Sequence, residues 1–363
     1  MNKVLIVSDG FMYDLYGGPF YSEFERLGFQ VESFIWKDYF KNYQYPSLRE
    51  DERKNSIIFS FYYRFQNKFI IGPDVARLNN DLINLVNRYK PNLIFVYRGT
   101  HILSSTLKKL KETGAIIFGY NNDDPFSKAY PYFFWRHFKS CIPYYDLIYA
   151  YRNHNVKDYI NAGAKNSRLL RSYYNPSINY VLDDCEKDID VIFIGHYEND
   201  GRDLDILALF KKGLNVKLHG TGWERSSYYE ELHSFNGPIF PVYSDYNLML
   251  NRAKIALVFL SKLNRDTYTR RCFEIPASGT LMLSQYTSDL ASLYEPGKEA
   301  IYFHNSSDLV SSALSILNNN ELRLEVTKNG RNRLIKDGHE VSHRVQSIVL
   351  DYHLIINSEK DIN

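Results

Sequence analysis

The chain has 363 residues, more than one ordinary core requires and about right for two domains of typical size. Its hydrophobic fraction of 44% and charged fraction of 24% are those of a folded globular protein, which excludes disorder as the default. The formal charge of +2 comes from basic residues spread along the chain, so nucleic acid is not the expected partner.

Cysteine usage and apolar segments favour a cytoplasmic protein. The three cysteines, Cys141, Cys185 and Cys272, form no C-x-x-C pair and leave one over in any disulfide scheme, as expected in a reducing compartment. The N-terminal apolar run is too short for a signal peptide, and no stretch approaches the roughly 18 apolar residues of a membrane span. We therefore predict a cytoplasmic chain, at most peripheral at the inner face of the membrane.

Short apolar runs alternate with segments of helical period, a pattern typical of parallel α/β sheets. The first series of predicted strands covers residues 3–9, 31–37, 93–99, 115–121, 147–152 and 167–173. Predicted helices lie between them, among them residues 79–89 and 105–112. The polar stretch DDCEKD (183–188) ends this series, and the first domain is predicted to cover residues 1–185.

A second series of apolar runs follows the polar stretch. Its predicted strands cover residues 190–195, 215–220, 239–243, 254–260, 280–284 and 300–303. Three helical segments come last, at residues 308–318, 321–337 and 341–356. The fold class is therefore α/β with two Rossmann-like doubly wound domains, and the second domain is predicted at residues 186–340.

Loops that follow strands of the second domain are the expected ligand site, because doubly wound sheets bind ligands at that edge. Gly195 permits a tight turn after the first strand, and Arg202 falls at the next helix start, where exposed N–H groups favour an anion. Gly222 lies in a second turn, HGTGW, and PVYSD (241–245) is a third. Taken alone, each glycine loop is more often a plain turn than a phosphate cradle.

A fourth loop carries the segment TRRCFEIPASG with Arg270, Arg271 and Glu274. The neighbours of Glu274 are apolar, so its carboxylate is predicted to be buried, which is costly without an ionic or hydroxyl partner. Two explanations fit at this point: Glu274 pairs with one of the two arginines, or it binds a ligand. The arginines themselves also fit a solvated face.

The string R-x-F-E-I-P-A-x-G-x-x-x-L, preceded by Asp266 and Thr269 and followed by LYEPGKEAIYF (293–303), resembles the C-terminal signature of the CgeB-like (YkvP-like) family of GT-B glycosyltransferases. HGTGW and NRAKIALVF occur in the order of that family. NNDDP (121–125) is similar to a D-D-P turn in its N-terminal half. The resemblance covers most of residues 190–350 and the first half more loosely.

The resemblance implies a GT-B fold, in which two Rossmann-like domains face each other across a cleft and the last segment, residues 341–363, returns to the first domain. It also implies a nucleoside-diphosphate sugar as donor substrate, with no further cofactor and no metal. The carboxylate of Glu274 would then accept hydrogen bonds from the ribose hydroxyls. Arg271, alone or together with Arg202, would neutralise the departing diphosphate.

Other donor-site residues are implied in the same way. The nucleobase would lie against Val242 and Tyr243, and Gly195, Gly222 and Arg270 would complete the site. Asp266 lies eight residues before Glu274, like the first acid of the E-x7-E pattern of many retaining GT-B families. It would hold a hydroxyl of the donor sugar, or it would only cap a helix.

The acceptor side is expected on loops of the first domain. A general base must reach the acceptor hydroxyl, and the candidates that follow strands are His101, Asp123 and Asp9. A lone histidine after a strand is more often structural. Asp123 and Asp124 are adjacent, but a proline follows them, so capping of a turn is a better explanation than a metal site.

The stretch YPYFFWRHFK (130–139) combines large aromatic residues with Arg136 and Lys139. Contact with a lipid-linked acceptor or a membrane surface is one explanation. Packing of an aromatic helix in the core is the other, and we favour it.

These observations predict a metal-independent glycosyltransferase that moves a sugar to a hydroxyl of a glycan, a lipid-linked glycan or a protein. One alternative is a non-hydrolysing sugar-nucleotide epimerase, which needs no acceptor. The other alternative is a non-catalytic GT-B-fold protein of surface or coat assembly. It stays open because proteins with the same fold can differ in activity.

Overall fold

The computed structural model describes residues 2–10, 16–40, 65, 66 and 68–360. The chain divides into two compact units, one formed by Met1–Arg171 with Val341–Asn363 and the other by Ser172–Glu340. The division falls before the predicted boundary at residue 185. Residues 172–185 belong to the second unit, where Asn251 accepts from the Leu182 N–H at 2.8 Å and donates to the Tyr180 carbonyl at 3.0 Å.

The first unit is built on a six-stranded parallel sheet with the order β2-β1-β3-β4-β5-β6. Its strands are β1 (Lys3–Ser8), β2 (Gln30–Ile35), β3 (Leu93–Tyr97), β4 (Ile116–Asn121), β5 (Leu147–Ala150) and β6 (Ser167–Leu169). The central strands are buried along their whole length, as expected for a parallel sheet covered on both faces by helices.

Helices connect these strands. They are α1 (Gly17–Arg26), α2 (Pro73–Tyr89), α3 (Ser104–Lys111), α4 (Arg136–Cys141) and α5 (Asn153–Asn161). The C-terminal helix of the chain (Val341–Lys360) packs on α1, so the last segment lies with the first unit.

The second unit has a five-stranded parallel sheet with the order β11-β10-β9-β7-β8. Its strands are β7 (Ile189–Ile194), β8 (Val216–His219), β9 (Ala253–Val258), β10 (Leu281–Gln285) and β11 (Ile301–Phe303). The strand β8 pairs with one edge of β7, and β9, which comes later in the chain, pairs with the opposite edge of β7. The strand order therefore reverses between β7 and β9, and this point is where such sheets bind ligands.

The helices of the second unit lie between and after these strands. They are α6 (Arg202–Lys211), α7 (Tyr229–Asn236), α8 (Tyr246–Arg252), α9 (Arg271–Ala277), α10 (Ser288–Leu293), α11 (Ser306–Asn318) and α12 (Asn320–Lys336). The C-terminal helix that belongs to the first unit, Val341–Lys360, is α13.

One predicted strand is wrong. Residues 239–243 form no strand, although the Phe240 carbonyl accepts a hydrogen bond from the Gly220 N–H at 3.0 Å. Pro238 and Pro241 have no N–H to donate, and two such gaps within four residues prevent a continuous ladder. The segment is therefore a loop that lies beside the turn after β8.

Candidate functional site

The loops after β7 and β8 touch through their backbones at the carboxyl edge of the second sheet. The Gly195 N–H donates to the His219 carbonyl at 2.9 Å, and the Gly195 carbonyl accepts from Trp223 Nε1 at 3.0 Å. Gly220 has a φ of +143°, and a Cβ there would overlap the Gly195 carbonyl oxygen. Glycine is therefore required at Gly220 both by space and by conformation.

Arg271 lies directly over the Gly195 turn. A Cβ on Gly195 would come within 2.7 Å of Nη2 of Arg271, so a larger residue there would displace the guanidinium from its present position. The guanidinium carbon lies 5.7 Å from the centre of the Phe193 ring, at the end of β7. Arg271 forms no hydrogen bond and no ion pair with any residue that the structure describes. It is thus a half-buried cation with its donors available to a ligand.

Glu274 lies one helical turn further along α9 and is buried. One carboxylate oxygen accepts from Nε of Arg270 at 2.6 Å and the other from the Tyr246 hydroxyl at 2.8 Å. Burial raises the pKa of Tyr246 well above its usual value, and the Glu274 carboxylate adds to the effect. The carboxylate therefore has protein partners for both oxygens, while each oxygen keeps capacity for a further hydrogen bond.

The two neighbouring arginines thus have different environments. Arg270 is committed to Glu274, and its guanidinium also lies 4.9 Å from the centre of the Tyr173 ring. Arg271 is not committed in this way. A mutation at either position therefore removes the same charge with different structural consequences.

Arg202 is at the first position of α6, as predicted, but its guanidinium is buried and fully engaged. It donates to both oxygens of Asp200 at 2.9 and 2.7 Å and to the His196 carbonyl at 2.8 Å. Asp200 also accepts from the Arg202 N–H, and Asp203 adds a negative charge to the first turn. In this arrangement Arg202 shapes the loop after β7, and its contribution to diphosphate binding stays a prediction.

Gly222, Val242 and Tyr243 lie on the adjoining loops. Gly222 has a φ of +78° and precedes a 3₁₀ turn at Trp223–Arg225. The Gly222 carbonyl accepts from Nε of Arg225, whose Nη2 reaches the Tyr197 carbonyl at 3.1 Å. Val242 is half-buried and Tyr243 is 58% exposed. Their loop is fixed to this region by the bond from Gly220 to Phe240, and their role in base binding stays a prediction.

Asp266 closes the loop after β9. Its Oδ2 accepts from the Ser261 N–H at 3.3 Å, and its own N–H donates to the Ser261 carbonyl at 2.9 Å. The Ser261 hydroxyl donates to Glu198 at 3.0 Å and so joins this loop to the loop after β7. Burial acts to raise the pKa of Glu198, but His196 and Arg202 outweigh it and the net shift is downward. Sequence patterns gave no sign of Glu198 or of its partner.

On the first unit, one arginine joins two of the candidate bases. Arg98 follows β3, and its guanidinium contacts Asp9, after β1, at 3.3 Å and Asp123, after β4, at 2.8 Å. The three residues therefore meet at the carboxyl edge of three adjacent strands. The Asp9 side chain is almost fully buried, whereas that of Asp123 is 20% exposed.

His101 lies in the core instead. It is buried, and its ring stacks on Trp36 with centroids 4.3 Å apart and contacts Phe40 at 5.0 Å. Burial, assisted by nearby His137, lowers the pKa of His101 to about 3. The ring is therefore neutral near pH 7 and is held as an aromatic packing element.

The buried histidine makes stability depend on pH. The unfolded chain binds a proton at His101 below about pH 6.5, whereas the folded chain does so only near pH 3. The lowered pKa of His101 in the folded chain therefore contributes to the free energy of unfolding above pH 6.5. This contribution is lost as the pH falls below 6.5, by up to about 1.4 kcal/mol for each pH unit. We expect His101→Phe to reduce this loss, as measured by urea unfolding at pH 7 and pH 5, and to retain transfer activity. An unchanged difference between the two pH values would contradict this assignment.

Asp124 belongs to a second polar cluster of the first unit. One of its oxygens accepts from the Phe126 N–H at 3.0 Å, as in a turn, and from Asn155 at 2.9 Å. The other lies 3.4 Å from Nε2 of His154. Together with Asp158, these side chains bring three ligand-type atoms within 4.8 Å of one another. The buried turn expected at Asp124 is thus present, within a small polar cluster.

The aromatic stretch 130–139 divides between core and surface. Trp135 and Phe138 are buried in the core of the first unit, as favoured from the sequence. Tyr132 is 94% exposed and Phe134 is 52% exposed. Between these two exposed residues, the half-buried Phe133 ring has the Lys68 ammonium 4.9 Å from its centre. No helix in the described part of the chain is both long and apolar enough to cross a bilayer.

A model of the glycosyl transferase-like family matches residues 204–349, about two-fifths of the chain. The matched segment contains the loop with Arg270, Arg271 and Glu274 and the whole of α9. No curated protein sequence matches the chain significantly. The family match supports glycosyl transfer.

Solved structures share the fold over almost the whole chain. Sucrose-phosphate synthase from Thermosynechococcus elongatus has a TM-score of 0.71 at 11% identity and covers 99% of this chain and 100% of its own. HepE from Anabaena, in complex with UDP-glucose, has a TM-score of 0.63 at 11% identity, with coverages of 97% and 99%. A protein named as a UDP-N-acetylglucosamine 2-epimerase from Listeria monocytogenes has a TM-score of 0.56 at 12% identity, with coverages of 96% and 94%. These similarities show that the chain has the GT-B fold.

Proposed function

We propose that this chain is a GT-B glycosyltransferase that moves a sugar from a nucleoside-diphosphate donor to a hydroxyl of a glycan, a lipid-linked glycan or a protein. The observation that carries the proposal is Arg271, a half-buried guanidinium beside the Gly195 turn with no hydrogen-bond or ion-pair partner among the described residues. Arg271 begins the helix after β9 and its guanidinium lies at the turn after β7, the two strands between which the strand order of the second sheet reverses. A diphosphate is the group that such a cation stabilises best.

The roles of the surrounding residues follow from their contacts. Arg271 would stabilise the diphosphate as it leaves, which is the electrostatic contribution that this reaction needs in the absence of a metal. Glu274 is held in place by Arg270 and Tyr246, and its remaining acceptor capacity would bind the ribose diol. Val242 and Tyr243 would contact the nucleobase. Asp266 would bind a hydroxyl of the donor sugar.

For the general base we favour Asp123 among the three candidates. It is the most exposed of them, and Arg98 fixes its carboxylate at the edge of the first sheet. Asp9 is nearly inaccessible, and His101 stacks within the core. A base has to reach the acceptor hydroxyl directly or through one water.

We also propose the finer family assignment and a membrane contact. The string R-x-F-E-I-P-A-x-G on α9 supports membership of the CgeB-like branch.

The exposed rings of Tyr132 and Phe134, with Arg136 and Lys68 nearby, support peripheral binding to an anionic bilayer from the cytoplasm. In sedimentation with anionic vesicles, the wild type should be found in the vesicle pellet. A variant with both Tyr132→Ser and Phe134→Ser should stay in the supernatant. Equal retention of both proteins would contradict the membrane contact.

A panel of nucleoside diphosphates tests the donor assignment. One of them should raise the melting temperature, since a ligand at about 100 times its dissociation constant stabilises a protein by roughly 2.7 kcal/mol. The matching sugar nucleotide should then release its diphosphate only when an acceptor is added. Isomerisation of the sugar nucleotide alone would instead establish the epimerase. Absence of both binding and turnover would favour the non-catalytic alternative.

A further inference from the structure

The second unit contains a cavity of about 100 Å³ that shares no residue with the proposed donor site. It lies between the segment 174–180, the end of α9 at Ala277 and the C-terminal part of α12. The rings of Tyr174 and Tyr180 and the Leu334 side chain form much of its wall. Its volume is several times what one water molecule requires, so it has room for a small multi-atom ligand.

Asn179 lines this cavity and carries an unsatisfied donor. The residue is only 2% exposed. Its Oδ1 accepts from the Asn175 N–H at 3.2 Å, which fixes the orientation of the amide. Nδ2 is buried and has no hydrogen-bond partner among the residues that the structure describes. A buried amide donor in this state is costly and is normally satisfied.

Arg331 provides the second unsatisfied donor. Its Nε is buried, and its guanidinium forms no hydrogen bond or ion pair with any described residue. Arg333, on the same helix, shows the usual alternative, because it donates to Asp337 at 2.6 Å. Arg331 is the charged residue that lines the cavity, and Glu340, whose backbone pairs with Tyr174, does not line it.

We propose that this cavity is a second ligand site, which binds a small oxyanion through Arg331 and Asn179. The guanidinium of Arg331 and the free nitrogen of Asn179 are donors, so the acceptors that we propose for them come from the ligand. A guanidinium pairs with a carboxylate or a phosphate through two parallel hydrogen bonds, and the apolar walls suit a compact anion. Inorganic phosphate and short carboxylates share this chemistry. The site is independent of the function proposed for the donor site.

Calorimetric titration of the full chain with phosphate, acetate and propionate, in a buffer free of other oxyanions, tests the proposal. Asn179→Asp keeps the acceptor for the Asn175 N–H and replaces the free donor by a negative charge. Arg331→Gln removes the cation. Lys328→Gln removes an exposed charge from the same helix, and Arg271→Ala removes the cation of the donor site. A melting curve establishes that each variant is folded.

We expect saturable binding of phosphate, of a carboxylate or of both to the wild type. In the Arg271→Ala background, which lacks the cation of the donor site, binding should weaken by about tenfold or more on Asn179→Asp and Arg331→Gln and stay unchanged on Lys328→Gln. The anion that binds more tightly identifies the ligand class. Absence of saturable binding to the wild type would overturn the proposal. Wild-type affinity in both cavity variants, or binding that only Arg271→Ala removes, would overturn it as well.

Discussion

Replacing Arg271 with alanine should weaken nucleoside-diphosphate binding by about a hundredfold and leave the melting temperature close to that of the wild type. Hydrogen bonds to a charged group are worth about 1.5–3 kcal/mol, and about 2.7 kcal/mol corresponds to a hundredfold change. The fold should tolerate the change, because Arg271 has no ion pair with a described residue whose loss would leave a buried charge. Calorimetric titration with the nucleotide found in the panel measures the effect.

Lys262→Ala is the matched control for this prediction. Lys262 is exposed on the loop after β9, and its removal changes the net charge by the same amount. If only the overall charge matters, the two variants should lose affinity equally. Wild-type affinity in a folded Arg271→Ala variant would mean that the diphosphate is bound elsewhere.

Inorganic diphosphate and EDTA extend the same test. Arg271→Ala should weaken the binding of inorganic diphosphate as well, because the contact is to phosphate oxygens. Turnover of the wild type should persist in EDTA if Arg271 supplies the positive charge that a metal would otherwise provide. Activity that EDTA abolishes and manganese restores would contradict the proposed metal independence.

The sequence predicted the sheets because their signal is local. Buried parallel strands form continuous apolar runs, and eleven of the twelve predicted strands are present within a few residues of their expected bounds. The exception, residues 239–243, is also apolar, and only Pro238 and Pro241 distinguish it. The prolines were visible in the sequence and should have counted against a strand.

Side-chain partners far apart in the chain could not be predicted in this way. Tyr246 reaches Glu274 from 28 residues away, and Ser261 reaches Glu198 from 63 residues away. The burial of Glu274 could be inferred from its apolar neighbours. Which of the two arginines pairs with it could not, because both lie within one helical turn of the carboxylate. His101 is a candidate base because it follows a strand, but the rings that pack on it, Trp36 and Phe40, come from the segment after β2.

Glu274 is expected to contribute both to the stability of the fold and to ligand binding. Glu274→Ala leaves the buried Arg270 guanidinium without its carboxylate, and breaking a buried pair from one side costs about 3–5 kcal/mol. Glu274→Gln keeps one acceptor oxygen and nearly the same volume, so it should cost clearly less. Urea unfolding measures both changes, with Glu325→Gln, an exposed substitution on α12, as the control.

Glu274→Gln then isolates the ribose contact, because it is expected to stay folded. It should weaken nucleoside-diphosphate binding by about 1.5–3 kcal/mol and leave inorganic diphosphate unaffected, since that ligand has no ribose. The 2′-deoxy nucleotide should bind the wild type less tightly than the ribonucleotide does. Glu274→Gln should largely remove that preference, because the 2′-hydroxyl and the Glu274 carboxylate are expected to contact each other, and the effects of changing two contacting groups do not add. An undiminished preference in the variant would mean that Glu274 only pairs with Arg270 and Tyr246 and that another group binds the ribose.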